Sequence, residues 1–199
     1  RILGFHSDGG FAETIAVPRE SLVPVENGFD PLLVTFAEPV ACVHNGLSRL
    51  QPAPGERAII YGGGVVGMLA ALAFVERGCK VTVVEKNAAK IARLQPLCDR
   101  HRIELVKDTV AADFDLAINC CADPIAYSLC LTKLRKGGRF ASFSGLDKNE
   151  EIGTNVLNLV HYKELEVLGA YGPRREDMLQ ALAFCGRQGG NLTGVIDRV

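Results

Sequence analysis

The stretch RAIIYGGGVVG, residues 57–67, joins a short β-branched run to a turn of closely spaced glycines. The glycines follow the pattern Gly62-x-Gly64-x-x-Gly67, and the residues that come next are mostly strong helix formers. In this pattern the first glycine allows a tight turn, the second lets the backbone approach a pyrophosphate, and the third lets helix and strand pack closely. The unpaired N–H groups at the helix start favour an anion. The stretch therefore predicts the first strand, turn and helix of a dinucleotide-binding sheet.

An acidic residue stands where such a sheet holds the ribose of its nucleotide. KVTVVE, residues 80–85, reads as the second strand and ends in Glu85, 18 residues after Gly67. A carboxylate there accepts hydrogen bonds from the ribose hydroxyls and repels a 2′-phosphate, so NAD is favoured over NADP, although the neighbouring lysine weakens that preference. The structural alternative is a tight turn that binds nothing. The predicted cofactor-binding residues of this region are Gly62, Gly64, Val65, Val66, Gly67, Glu85 and Lys86.

From residue 57 onward, short apolar runs alternate with helical stretches, which is typical of a parallel sheet with crossover helices. The predicted fold class is α/β, a Rossmann doubly wound parallel sheet of about six strands covered on both faces. The predicted strands are RAIIY, KVTVVE, IELV, DLAINCCA, GRFASFSG and ELEVLGAYG. The predicted helices are VVGMLAALAFVERG, NAAKIARLQPLC, PIAYSLCLTKLRKG and RREDMLQALAFCGRQGG.

The carboxyl ends of the last three strands are expected to face the nicotinamide ring, because ligands of open α/β sheets bind at that edge. The residues there are Cys120, Cys121 and Ala122, then Ser144, Gly145 and Leu146, then Gly169, Ala170 and Tyr171.

The segment before residue 57 lacks this alternation of short apolar runs and helical stretches. GGFAETIAVPRESLVPV, residues 9–25, is strand-like and interrupted by Gly and Pro, whereas Pro31 to Leu50 reads as a helical connector. We expect residues 1–35 to be the tail of another domain, residues 36–56 to be a connecting helix and turn, and residues 57–199 to be the nucleotide-binding domain.

Composition excludes several classes of protein. The net charge of −1 and the lack of a basic stripe argue against nucleic-acid binding. The longest apolar run, from Val65 to Val75, is shorter than the ~20 residues of a membrane span. The seven cysteines are odd in number and lack zinc-knuckle spacing, so we expect buried thiols in a reducing, cytoplasmic compartment.

Two other functions share these signals. S-adenosylmethionine-dependent methyltransferases also combine a glycine turn with an acid after the second strand, although their loop usually reads GxGxG. A nucleotide-binding module without catalysis would carry the same motif, and only catalytic residues distinguish it from an enzyme.

Four stretches of the chain together resemble the zinc-dependent medium-chain dehydrogenases, in the polyol branch that includes sorbitol (L-iditol) dehydrogenase. They are SDGGFAETIAVP, EPVACVHNGL, GERAIIYGGGVVGMLAALAF and HYKELEVLGAYGPRREDMLQAL. The resemblance implies a zinc-bearing domain with a GroES-like barrel, of which residues 1–35 would be a remnant, and a Rossmann domain. It implies hydride transfer between a small-molecule alcohol or polyol and NAD, in a homodimer or homotetramer.

Glu38 acquires a role from this resemblance. In the polyol branch the glutamate of the EP motif lies at the catalytic zinc, so Glu38 is the expected catalytic and metal residue. The alternative is an exposed acid beside Pro39 at a helix start. The resemblance also places the other zinc ligands before Arg1 and a further segment after Val199, so we expect zinc only where those ligands are present, and a chain that is inactive alone.

Several polar residues receive weaker interpretations. We expect His44 to be a packed or capping side chain, assign no role to Asn45, and read His161 as a structural residue that opens the sixth strand. Arg174 and Arg175 begin the last helix, and they are either solvated charges or ligands of a phosphate, because cations in a first helical turn oppose the helix dipole.

Overall fold

The computed structural model describes residues 3–4 and 6–196, and its centre is a six-stranded parallel sheet. The strand order is β3-β2-β1-β4-β5-β6, which reverses between β1 and β4. The predicted Rossmann fold with six strands is therefore confirmed, and its binding crevice lies at the carboxyl ends of β1 and β4. The strands are β1 Arg57–Tyr61, β2 Lys80–Val84, β3 Glu104–Val106, β4 Phe114–Asn119, β5 Leu134–Ser142 and β6 Glu166–Gly169.

Seven α-helices connect and cover these strands in the described part of the chain. They are α1 Pro31–Val34, α2 Ala37–Leu50, α3 Val65–Glu76, α4 Ala88–His101, α5 Pro124–Lys133, α6 Thr154–Tyr162 and α7 Arg175–Leu192. Two short 3-10 turns lie at Arg19–Ser21 and Thr193–Val195. None of the helices in residues 3–4 and 6–196 is long and apolar enough to cross a membrane.

Alternation along β1 divides the core between the two faces of the sheet. Ala58 and Ile60 belong to the larger cluster, which α2, α3, α4 and α7 cover. Ile59 and Tyr61 belong to the smaller cluster, which α5 and α6 cover. Because β1 is buried on both faces, it needs apolar residues at every position, and RAIIY provides them from Ala58 on.

Helix α3 is the central helix of the larger core. Every residue from Gly67 to Phe74 is buried, so this helix is apolar on all sides. It ends at Glu76, and Gly78 follows with φ +78°, as expected for a residue just past a helix terminus. The glycine turn is therefore attached to a helix whose residues from Gly67 to Phe74 are all buried.

The structure corrects several predicted boundaries. The fourth strand ends at Asn119 rather than Ala122, and the fifth begins at Leu134, within the residues predicted as the end of a helix. The pairing between β4 and β5 is irregular, because Phe114 pairs with Leu134 whereas Leu116 pairs with Arg139. This pairing between distant strands has no signature in the local sequence.

His161 was predicted to open the sixth strand, and this was wrong. It lies in helix α6, which was not predicted from the sequence. Val156, Leu159 and Val160 pack from this helix against the smaller core. Their helical spacing was readable in TNVLNLVHY, but β6 itself begins only at Glu166.

The strand-like segment near the amino terminus forms no strand in the structure. Among the described residues before α1 there are only an isolated bridge between Leu3 and Ser7 and the 3-10 turn Arg19–Ser21. A strand needs a hydrogen-bonded neighbour, and no described segment pairs with residues 9–25. The predicted connector does form two helices, α1 and α2, whereas the assignment of residues 1–35 to another domain stays a prediction.

The seven cysteines are free thiols. Cys79, Cys98, Cys130 and Cys185 are buried, whereas the other three are half-buried. Burial raises the pKa of Cys79, Cys98 and Cys185 to about 11, so these thiols stay protonated at neutral pH. They pack as small apolar side chains.

His44 is a packed side chain, as predicted, and lies between α2 and α7. It is 5% exposed and meets the Phe184 ring edge-on. Its Nδ1 is 3.1 Å from a guanidinium nitrogen of Arg77, so Nδ1 accepts that hydrogen bond and the imidazole is neutral. Burial, with a smaller contribution from Arg77, lowers the pKa of His44 to about 4.

This buried histidine should make stability fall in mild acid. The unfolded chain takes up a proton near pH 6.5 while the folded chain does not until about pH 4, so the free energy of unfolding decreases as pH falls through that window. Between pH 6.5 and 5 we expect His44 to account for a loss of about 1–2 kcal/mol. Urea unfolding at both pH values should show a smaller loss for His44→Gln, which can still accept from Arg77. His161→Gln, at an exposed position, is the control. If the parent chain, His44→Gln and His161→Gln all lost the same free energy of unfolding between the two pH values, His44 would not be the group responsible.

Candidate functional site

Two of the three motif glycines are required by close packing. Gly62 has φ +106°, and a Cβ on it would lie 2.8 Å from the carbonyl oxygen of Cys120. A Cβ on Gly67 would lie only 1.8 Å from the carbonyl oxygen of Gly62. The first turn of α3 therefore rests directly on the backbone of the turn that precedes it, and neither position tolerates a side chain.

Gly64 differs from the other two because open space surrounds it. It is the N-cap of α3 with φ −72° and ψ −176°, and no atom lies within 4 Å of a Cβ built there. No side chain caps the helix, although the first N–H groups of a helix lack intrahelical partners. The glycine turn thus presents accessible backbone at a positive helix end, which suits a diphosphate.

Glu85 lies directly against the glycine turn. It follows β2, and its Oε2 accepts a hydrogen bond from the Gly63 N–H at 3.0 Å, while Oε1 accepts from the Asn87 N–H at 2.8 Å. The Cβ of Glu85 would be 2.9 Å from a Cβ on Gly63. The acid and the turn, 22 residues apart in sequence, therefore form one surface.

Lys86 points from the same edge toward α5. Its Nζ lies 3.2 Å from Oδ2 of Asp123, and this ion pair is largely exposed. Asp123 also caps α5 by accepting from the Ile125 N–H at 2.9 Å. The positive charge of Lys86 is thus partly neutralised beside the predicted ribose position.

A buried amide that the sequence reading missed holds the next two strand ends together. Asn119 is fully buried at the end of β4, and its Oδ1 accepts from the Phe143 N–H at 2.8 Å. Its Nδ2 donates to the Ser144 carbonyl at 3.0 Å, and the Ser144 N–H donates to the Asn119 carbonyl at 3.1 Å. Asn119 therefore fixes the segment that contains the predicted residues Ser144 and Gly145. Its only sequence signal was a single amide at the end of the apolar run DLAIN.

Cys120 and Cys121 continue from β4 on opposite faces. Cys120 packs against the larger core with its Cβ 3.4 Å from a Cβ on Gly67, whereas Cys121 packs against the smaller core. Burial raises the pKa of both thiols, so neither is a thiolate at neutral pH. Their contribution to the site is shape rather than nucleophilicity.

Glu38 is an exposed residue in the first turn of α2. Its Oε1 is 3.2 Å from the Cys42 sulfur one helical turn later. Burial, followed by this hydrogen bond, raises the pKa of Cys42 to about 12, so the thiol donates to the carboxylate.

A cleft of about 840 Å³ connects Glu38 with the edge of the sheet. It brings Glu38 together with three predicted cofactor residues, which are Val66, Ala170 and Tyr171. Its remaining lining residues are Pro39, Cys42, Asn45, Arg49, Phe143, Gly172, Pro173 and Arg174. The carboxylate, the start of α3 and the end of β6 therefore share one cleft.

The described residues do not by themselves complete a zinc site. Within residues 3–4 and 6–196, no three His, Cys, Asp or Glu side chains converge on a point where they could hold a metal ion. A catalytic zinc needs three protein ligands, and among the described residues Glu38 and its hydrogen-bonded neighbour Cys42 supply at most two. The role of Glu38 as a ligand stays a prediction.

The chain is similar to several dehydrogenases. Residues 65–187 match the family described as zinc-binding dehydrogenase. The chain is 29% identical over 189 residues to L-galactonate-5-dehydrogenase of Escherichia coli, with 88% of this chain and 53% of that protein covered. It is 28% identical over 193 residues to sorbitol dehydrogenase of Halalkalibacterium halodurans, with 92% and 56% covered. The chain thus spans about half the length of these relatives.

Solved structures agree on the fold. Galactitol-1-phosphate dehydrogenase of Escherichia coli superposes with a TM-score of 0.81 at 19% identity, covering 94% of this chain and 58% of that one. Other structures of similar fold are bound to NADP or to NADH. The fold alone therefore does not choose between the two cofactors.

Proposed function

Because the chain belongs to the zinc-binding dehydrogenase family, we propose that it supplies the NAD-binding part of an oxidoreductase. The enzyme transfers a hydride between a secondary alcohol of a polyol, sugar alcohol or related substrate and NAD. One observation carries this proposal: the open glycine turn at the start of α3 lies directly against the carboxylate of Glu85.

Each part of this surface has a role in the proposal. The backbone at Gly64 and the first N–H groups of α3 bind the diphosphate, and Glu85 accepts hydrogen bonds from the adenosine ribose. Cys121, Ser144 and Gly145 border the crevice beyond the turn, where Asn119 fixes the Ser144 segment. The protein thus orients the cofactor, which carries the redox chemistry.

The substrate class is supported by the names of the relatives. L-galactonate and sorbitol, after which two similar dehydrogenases are named, are both polyhydroxylated carbon chains. The cleft beside Glu38 has a volume suited to a small polyol next to a nicotinamide ring. We assign Glu38 to the catalytic end of this cleft, where a zinc site would need further ligands.

The proposal extends to the setting of the enzyme. Its free thiols are consistent with a cytoplasmic protein. Strand β6 pairs only with β5 in the described sheet, and Val167 on it is 39% exposed, so β6 offers an edge through which a homodimer or homotetramer can form.

Calorimetry with three ligands separates this function from its alternatives. Titration of the chain with NAD, NADP and S-adenosylmethionine should give binding of NAD, weaker binding of NADP by about tenfold, and no heat with S-adenosylmethionine. Preferential binding of S-adenosylmethionine would establish the methyltransferase alternative. If the chain binds NAD but oxidises no polyol even when the missing zinc ligands are supplied, the alternative of a nucleotide-binding module without catalysis would hold.

A further inference from the structure

We infer that the cleft beside Glu38 holds an anionic group of the substrate between Arg49 and Arg174, so that the enzyme acts on a polyol bearing a carboxylate or a phosphate. This inference rests on the proposed function and names its substrate class. Arg49 and Arg174 both line the same cleft of about 840 Å³, together with Glu38. Arginine is always charged, and the charged residues that line this cleft are these two arginines and Glu38.

Arg49 is held in place by a buried amide. Asn45 is 2% exposed, and its Nδ2 donates to the Gly172 carbonyl at 2.6 Å, which ties α2 to the loop after β6. The Oδ1 of Asn45 lies 3.4 Å from Nε of Arg49. A residue without an assigned role in the sequence analysis therefore orients one guanidinium group along the wall of the cleft.

Arg174 lines the same cleft from a different element, the N-cap of α7. Its backbone N–H donates to Oδ2 of Asp177 at 2.8 Å, which fixes the start of the helix. Glu176 and Asp177 in the first turn of α7 suit the helix dipole, and Arg174 adds an exposed guanidinium group beside them.

The arginines of the cleft differ from those that stabilise the fold. Arg139 and Arg187 form ion pairs with Glu56 and Glu76. Among the described residues, neither Arg49 nor Arg174 forms an ion pair with a carboxylate, although Glu38 lines the same cleft. Their charges therefore remain available to a ligand, and a carboxylate or phosphate can accept hydrogen bonds from both.

The other walls of the cleft suit the carbon chain of a polyol. Phe143 and Ala170 give one apolar side next to Val66 at the start of α3. An anion held between the arginines would leave the rest of the molecule to extend toward this side, where the nicotinamide is expected. The arginines thus select the end of the substrate away from the reacting carbon.

The test compares three six-carbon probes that differ in charge. Sorbitol is neutral, D-gluconate carries a carboxylate, and sorbitol 6-phosphate carries a phosphate. Each is titrated into the chain with NADH present, and Kd is measured from the shifts of backbone amide NMR signals. We expect at least one anion to bind about tenfold tighter than sorbitol, and the stronger of the two identifies the anionic group.

Three variants decide whether the arginines cause this preference. Arg49→Gln and Arg174→Gln should each reduce the preference about tenfold, whereas Arg175→Gln, a neighbouring arginine that does not line this cleft, should retain it. Equal binding of sorbitol and both anions, absence of anion binding, or equal losses in all three variants would overturn the inference. NAD binding is measured on the same samples: NAD binding without anion preference overturns this inference alone, whereas anion preference without NAD binding overturns the proposed function alone.

Discussion

Gly67→Ala should lower the free energy of unfolding by about 3 kcal/mol and abolish detectable NAD binding. The added methyl group would lie 1.8 Å from the carbonyl oxygen of Gly62, a backbone atom that cannot rotate away. To relieve the clash, α3 must move off the glycine turn, although its buried face packs in the larger core. Urea unfolding measures the loss of stability, and calorimetry measures the loss of binding.

Gly64→Ala is the matched variant that separates folding from binding. Its backbone lies in a region open to alanine, and nothing lies within 4 Å of the new Cβ, so stability should be unchanged. NAD affinity should nevertheless fall at least about tenfold, because a methyl group would stand where the diphosphate approaches. Gly190→Ala in α7, also in open space, controls for the general effect of alanine. Normal NAD affinity in Gly64→Ala would remove the diphosphate from this turn.

The sheet was predictable because its strands carry their own signals. RAIIY and KVTVVE are apolar runs between turn residues, and α3 follows its glycines directly. The predicted secondary structure was wrong where pairing with a distant strand decides it. The helix was predicted to continue to Gly137, yet LRKGG belongs to β5, whose first residue, Leu134, pairs with Phe114 of β4. The strand-like prediction for residues 9–25 was wrong for the opposite reason. Their composition favours a strand, but no segment among the described residues pairs with them.

The candidate site was predictable only where one motif contains all of its parts. The positions of Gly62, Gly64 and Gly67 follow from spacing along one turn, and Glu85 follows from the length of one crossover. Asn119 and Asn45 were missed because their partners lie 24 and 127 residues away. A buried amide is recognised from its contacts, and those contacts exist only in the folded chain.

Glu85→Ala should weaken NAD binding by tenfold to about a hundredfold and narrow the difference between NAD and NADP. Two effects contribute to the loss. The ribose loses its hydrogen-bond acceptor, and the Gly63 N–H loses the Oε2 contact of 3.0 Å that holds the turn. NADP should lose less affinity than NAD, because removing the carboxylate also removes its repulsion of the 2′-phosphate. Calorimetry with both cofactors measures the four dissociation constants.

Glu85→Gln separates charge from hydrogen bonding at this position. The amide oxygen can still accept from the Gly63 N–H, although the amide nitrogen cannot replace the contact with the Asn87 N–H, so the glycine turn keeps its contact while the repulsion of a 2′-phosphate disappears. NADP affinity should therefore rise in this variant even though NAD affinity falls. Glu104→Gln is the control. Glu104 lies on the neighbouring strand β3 and accepts a hydrogen bond from Thr82, so this variant removes an equal charge away from the glycine turn and should change neither the NAD affinity nor the NADP affinity. If Glu85→Ala and Glu85→Gln both keep the selectivity of the parent chain, the ribose lies elsewhere and the glycine turn must be reassigned as packing between β1 and α3.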